Sequence, residues 1–137
     1  MQRLFITAVL LLISSVTSAQ TVVVVAKDSN IKSLDYQHVA NIFLARTNRL
    51  PNGEKAQPLE LKENPLREYF YQAISGKSPK QLYAYWTTLV FTGKGKPPLA
   101  VSNSGELIQK LQNSPGAITY IAAEHVTDEM QVVFTFP

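Results

Sequence analysis

The sequence contains no cysteine and carries little net charge. Without cysteine there is neither a disulfide framework nor a thiol nucleophile, so packing alone must hold the fold together. The formal net charge of +3 at pH 7 is too small to indicate a surface for nucleic acid. His38 and His125 each stand alone, with no second histidine at metal-ligand spacing, and we read both as surface or helix-end residues. No metal and no cofactor are therefore expected.

The signature motifs of common enzyme classes are also missing. No serine lies in a Gly-x-Ser-x-Gly elbow, and no pattern singles out a pair of catalytic carboxylates. The glycine- and lysine-rich segment 91–98 (FTGKGKPP) ends in two prolines, where a phosphate-binding P-loop would continue into a helix. We therefore predict a surface loop at this segment and no enzymatic activity.

The first 19 residues have the character of a signal peptide. An apolar run at residues 4–13 follows a single arginine, and the small residues 14–19 place Thr17 and Ala19 where a signal peptidase cleaves. A membrane anchor is the weaker interpretation, because the run has about half the twenty residues that a bilayer requires. We predict cleavage after Ala19, export to the periplasm, and a mature chain of residues 20–137 that forms one domain.

The mature sequence alternates between strand and helix patterns. Residues 21–26 (TVVVVA) are typical of a central strand covered on both faces, as in a parallel sheet. Further strands are predicted at residues 57–61, 117–121 and 131–136. Helices are predicted after Ser33 or Asp35, from Pro65 to a stop at Gly76, after Ser78 and Pro79, and after Asn103. Strands separated by helices indicate an α/β layer fold.

The junction between the second strand and the second helix is the best candidate site. Leu59 and Leu61 alternate with polar neighbours, and Asn64 and Pro65 then supply a predicted helix cap and first helical position. Because a helix start presents unpaired N–H groups and partial positive charge, it can hold an anion. We predict ligand binding by Lys62, Asn64 and Arg67. The alternative interpretation of these three residues is a capped surface helix with solvated charges.

Several motifs resemble the phosphate-type, or type 2, periplasmic substrate-binding proteins of ABC transporters. They are residues 39–49 (VANIFLARTNR), 64–70 (NPLREYF) and 115–121 (PGAITYI). Residues 76–86 (GKSPKQLYAYW) and 91–98 are similar to segments of the short, single-lobe members of that superfamily. The resemblance implies one α/β lobe, three-layer-like, with a mostly parallel sheet flanked by helices. It also implies a small oxyanion such as phosphate as the ligand.

The sequence departs from the family pattern at the expected ligand site. The family has Ser-Gly-Thr at the helix start, whereas this chain has residues 63–66 (ENPL), and Lys62 stands about where the family has arginine. Pro65 removes an N–H donor and Glu63 adds a negative charge. A second interpretation therefore stays open: a periplasmic interaction or sensor-accessory module that has lost its ligand and binds a protein partner through aromatics of residues 69–86. A homodimer that covers the open site is compatible with either function.

Overall fold

A computed structural model of the protein describes residues 20–137, and the predicted signal peptide lies outside them. The strands, in chain order, are β1 Thr21–Ala26, β2 Gln57–Leu61, β3 Leu99–Val101, β4 Ala117–Ala122 and β5 Met130–Thr135. The helices are α1 Tyr36–Phe43, α2 Arg67–Ser75, α3 Pro79–Phe91 and α4 Ser104–Asn113, with a short 3-10 turn at Ala123–His125.

The five strands form one mixed sheet in the order β3-β2-β4-β1-β5. Strand β2 runs parallel to both β3 and β4, whereas β1 runs antiparallel to both β4 and β5. The α/β fold class is confirmed, but the β1 pairings correct the prediction of a mostly parallel sheet. The valine run of β1 indicated burial on both faces, and burial does not determine the direction of the neighbouring strands.

Helices cover both faces of the sheet, which explains the complete burial of β1. On one face Val23 and Val25 pack with apolar residues of α1, α2 and α3. On the other face Val22 and Val24 pack with α4. The chain thus has three layers, as predicted, and alternate residues of each central strand face two separate cores.

Local capping signals set most of the helix bounds. Asp35 caps α1 by accepting a hydrogen bond of 2.7 Å from the His38 backbone N–H, and Ser78 caps α3 in a capping box with Gln81. Gly76 ends α2 in the left-handed conformation at φ 67°, which glycine adopts without a steric penalty. Asn103 caps α4. These four features were predicted from short-range sequence patterns, and the structure confirms them.

Candidate functional site

The candidate corner lies at the carboxyl end of β2, beside the carboxyl end of its parallel neighbour β3. Leu61 pairs with Val101, and the Lys62 N–H donates a hydrogen bond of 2.8 Å to the Val101 carbonyl. The chain then turns and enters α2 at Arg67. In open α/β sheets, ligands bind outside the carboxyl ends of the strands. The predicted residues therefore stand at a position where such folds can hold a ligand.

Asn64 shapes this turn, although it is not the helix cap that the sequence predicted. Helix α2 begins at Arg67 with Leu66 in the N-cap position, and no side chain caps it. Asn64 acts earlier, because its Oδ1 accepts a hydrogen bond of 2.9 Å from the Leu66 N–H. Its Nδ2 is buried and has no hydrogen-bond partner among the described residues. The Asn64 side chain thus keeps one unused donor at the corner.

Arg67 contacts a carboxylate, and its guanidinium lies over an aromatic ring. Its Nε lies 3.5 Å from Oε1 of Glu60, and its guanidinium carbon lies 5.1 Å from the centre of the Tyr71 ring. The Arg67 side chain is still 41% exposed, whereas that of Glu60 is 8% exposed. The guanidinium is therefore fixed in position and partly open to solvent.

Glu60 is the residue of this region that the sequence reasoning missed. Its Oε2 accepts a hydrogen bond of 2.8 Å from the Tyr120 hydroxyl, and the Tyr120 ring stacks on that of Phe70. Burial, and after it the nearby charge of Glu60, raises the pKa of both Tyr71 and Tyr120 above the ordinary tyrosine value. The signal was available: in a sheet covered on both faces, a polar residue between two apolar leucines also points into a core.

The corner has two cations and three carboxylates, the third being Glu68 in the first turn of α2. Lys62 is exposed and follows β2 directly, and exposed Glu63 stands beside it. Glu60 and Arg67 form the second pair of opposite charges. The structure thus brings the three predicted residues into one turn and helix start, with Lys62 and the partly exposed Arg67 as cations and Asn64 as a neutral donor. Among residues 20–137, no cluster of three potential metal ligands occurs.

A second feature is an apolar groove along α3, which we call the α3 groove. It has a volume of about 650 Å³. Phe91 is 91% exposed and Tyr83 is 75% exposed, which is unusual for side chains of this size. The sequence predicted exposed, partner-binding aromatics within residues 69–86. Tyr83 is exposed, Trp86 is largely buried at the groove, and the exposed Phe91 lies beyond that range. The groove is lined by Arg67, Pro79, Tyr83, Trp86, Thr87, Val90, Phe91 and Pro97.

No family model matches the sequence, and no curated protein matches it. Solved structures do match. They include an ABC-type phosphate transport receptor from Vibrio cholerae, with a TM-score of 0.61 and 11% identity over 84% of this chain. A Clostridium perfringens protein assigned as a phosphate ABC transporter substrate-binding protein, with bound phosphate, matches with a TM-score of 0.64 and 15% identity over 84% of this chain. The chain has the fold of one lobe of a phosphate-type substrate-binding protein.

The matches cover most of this chain but less than half of each matched protein. PstS from Borrelia burgdorferi also matches, with a TM-score of 0.52 and 13% identity over 87% of this chain. This chain spans 45%, 44% and 49% of the length of the three proteins, less than half in each case. The likeness establishes the fold, and the structural neighbours are transport binding proteins. None of the helices in residues 20–137 has the length and apolar character needed to span a bilayer.

Proposed function

We propose that residues 20–137 form an exported, periplasmic, non-catalytic lobe that binds a small oxyanion such as phosphate at the corner between β2 and α2. The observation that carries this proposal is the presence of an exposed lysine, Lys62, and a partly exposed, positioned guanidinium, Arg67, in one turn and helix start that Asn64 shapes through its Oδ1. Lys62 supplies an ammonium group and Arg67 a planar guanidinium. Together they offer an anion two charges and several N–H donors.

The location and the fold support the same proposal. The corner stands at the carboxyl ends of two parallel strands, where α/β folds hold ligands. The Clostridium perfringens structure with this fold has phosphate bound. The predicted signal peptide, with cleavage after Ala19, would deliver the lobe to the compartment in which substrate-binding proteins work.

Affinity at this corner should be modest. One lobe leaves the anion exposed to water, where each hydrogen bond contributes only about 1 kcal/mol net. Glu60 and Glu63 also repel an anion at this corner and so offset part of its attraction to the two cations. A second copy of the chain, or another protein that covers the corner, would exclude water and strengthen every one of these contacts.

Isothermal titration of residues 20–137 with phosphate and with sulfate tests the proposal. We expect saturable binding of at least one of these anions, lost in Lys62→Glu and retained in the matched charge reversal Lys32→Glu. Lys32 is an exposed lysine whose carbonyl contacts Gln131 at the start of β5, at the opposite edge of the sheet. Absence of heat from both anions with folded protein would overturn the proposal, as would equal losses in the two variants.

A second candidate function is favoured by the α3 groove. Exposed apolar surface lined by aromatic side chains is typical of protein-binding sites. In this function the lobe is an interaction module, and its partner is a periplasmic or membrane protein. Lys62→Glu would leave such binding intact because Lys62 does not line the groove.

A further inference from the structure

The lining of the α3 groove contains one charged residue, Arg67, and no carboxylate. Arg67 is paired with Glu60, and its side chain is still 41% exposed. From residue 69 to residue 105 the chain has no acidic residue, and its charged side chains there are Lys77, Lys80, Lys94 and Lys96. Lys94 and Lys96 are exposed and lie within three residues of Pro97, which lines the groove. An occupant with negative charge is therefore favoured.

The groove wall contains the one tryptophan of the chain. Trp86 lines the groove and is 6% exposed, so most of its side chain packs against the lobe and a small part of it faces the groove.

The dimensions of the groove suit a short peptide segment. It extends from Pro79 to Phe91, the first and last residues of α3, a helix of 13 residues. At 1.5 Å per residue the helix is about 20 Å long. An extended peptide rises about 3.3 Å per residue, so about six residues cover this length.

We propose that the α3 groove docks an extended segment of a partner protein in which apolar side chains are combined with at least one carboxylate. The apolar side chains pack against Tyr83, Val90 and Phe91, and the carboxylate lies at Arg67. A second copy of this chain docked through the same face is disfavoured, since neither lining offers a carboxylate to the Arg67 of the other copy. This inference defines the partner of the second candidate function, and it shares Arg67 with the proposed anion site.

Selection from a random-peptide display library on immobilised residues 20–137 tests the inference. We expect enriched peptides with apolar residues beside aspartate or glutamate. The double variant Tyr83→Ser, Phe91→Ser should reduce their affinity at least about tenfold, as for interface hot spots. Val132→Ser removes an exposed apolar residue from β5, outside the groove, and should have no effect. Trp86 is the only tryptophan of the chain, so its fluorescence follows occupation of the groove directly in titrations with the synthetic peptides.

Exchange of the peptide carboxylate tests the charge requirement. Replacing glutamate by glutamine in the best peptide should weaken binding by roughly fivefold, the range of a partly exposed ion pair. Three results would overturn the inference. The first is a library in which no peptide is enriched on the wild-type chain relative to the double variant. The others are enriched peptides without acidic residues and equal affinity of the glutamate and glutamine peptides. The inference is also overturned if sedimentation shows a dimer that the double variant abolishes, because a second copy then occupies the groove. The Tyr83→Ser, Phe91→Ser variant, which changes no residue of the proposed anion site, should keep the phosphate binding of the wild-type chain, which separates this result from failure of the phosphate titration.

Discussion

Tyr120 on β4 donates a hydrogen bond of 2.8 Å to Glu60 on the neighbouring strand β2, and both side chains are buried. Arg67, at the first residue of α2, approaches the other oxygen of the same carboxylate at 3.5 Å. The Glu60 carboxylate therefore connects the sheet to the helix start at which the proposed anion binds. A hydrogen bond to a buried charge is worth more than one between neutral groups.

Tyr120→Phe should lower the free energy of unfolding by about 1.5–3 kcal/mol, because it deprives a buried carboxylate of a donor. Urea unfolding followed by circular dichroism measures the change. Tyr83→Phe is the matched control, since Tyr83 is 75% exposed, and we expect a change within about 0.5 kcal/mol. Equal stability of Tyr120→Phe and the wild-type chain would contradict the assigned role of the hydrogen bond.

Tyr71→Phe should behave differently from Tyr120→Phe although both tyrosines lie near Glu60. The Tyr71 hydroxyl is buried without a hydrogen-bond partner among the described residues. Removing an unpaired buried hydroxyl relieves its desolvation cost, so the free energy of unfolding at neutral pH should stay constant or rise by up to about 1 kcal/mol. The same urea experiment checks this, and destabilisation as large as that of Tyr120→Phe would refute it.

The fold should lose stability at alkaline pH. The pKa values of Tyr71 and Tyr120 are raised in the folded protein, chiefly by burial. Unfolded tyrosines ionise near pH 10 while the folded ones keep their protons, so the unfolded state binds fewer protons above that pH. The stabilisation is complete below about pH 10 and decreases as the pH rises further, by up to about 1.4 kcal/mol per pH unit for each residue. Urea unfolding of Tyr71→Phe across this range should show a shallower decline, and an unchanged slope would contradict the assignment.

Gly116→Ala should destabilise the fold strongly. A Cβ at this position would lie 1.8 Å from the Lys55 carbonyl oxygen, and the Gly116 carbonyl accepts the Gln57 N–H at the start of β2. The strands must separate to admit the methyl group, at a cost of about 1–3 kcal/mol or more. Gly105→Ala is the control, because its nearest contact is a side-chain oxygen at 3.3 Å. Thermal unfolding should show a large decrease in Tm for Gly116→Ala alone.

Local patterns predicted much of this fold, and contacts distant in sequence account for the rest. Ser78 with Pro79, and Asn103 with Glu106, mark helix starts because the capping contacts lie within one turn. Strand β3 has only three residues and follows two prolines, so no periodicity revealed it. The antiparallel pairing of β1 likewise depends on partners far along the chain.

The candidate site shows the same division between local and distant contacts. Lys62, Asn64 and Arg67 were predicted from a strand pattern followed by an Asn-Pro helix start, which are local features. The burial of Glu60 between two leucines could have been predicted, but its hydrogen bond from Tyr120, 60 positions away in the sequence, could not. Pro65 and Leu66 complete a turn before α2 starts, so the cap predicted at Asn64 became a turn contact two residues earlier than the structural N-cap.

Glu60→Gln should tighten phosphate binding if the corner is the anion site. The substitution keeps an acceptor for Tyr120 and removes a negative charge 3.5 Å from the Arg67 guanidinium. The formal charge of residues 60–68 then changes from −1 to zero. At several ångströms, in a partly solvated site, one charge is worth about 1 kcal/mol, or about fivefold in Kd. Isothermal titration of Glu60→Gln beside the wild-type chain measures this change in Kd. Weaker binding in the variant would contradict the prediction. It would mean that Glu60 favours binding by positioning Arg67 more than it disfavours binding by repelling the anion.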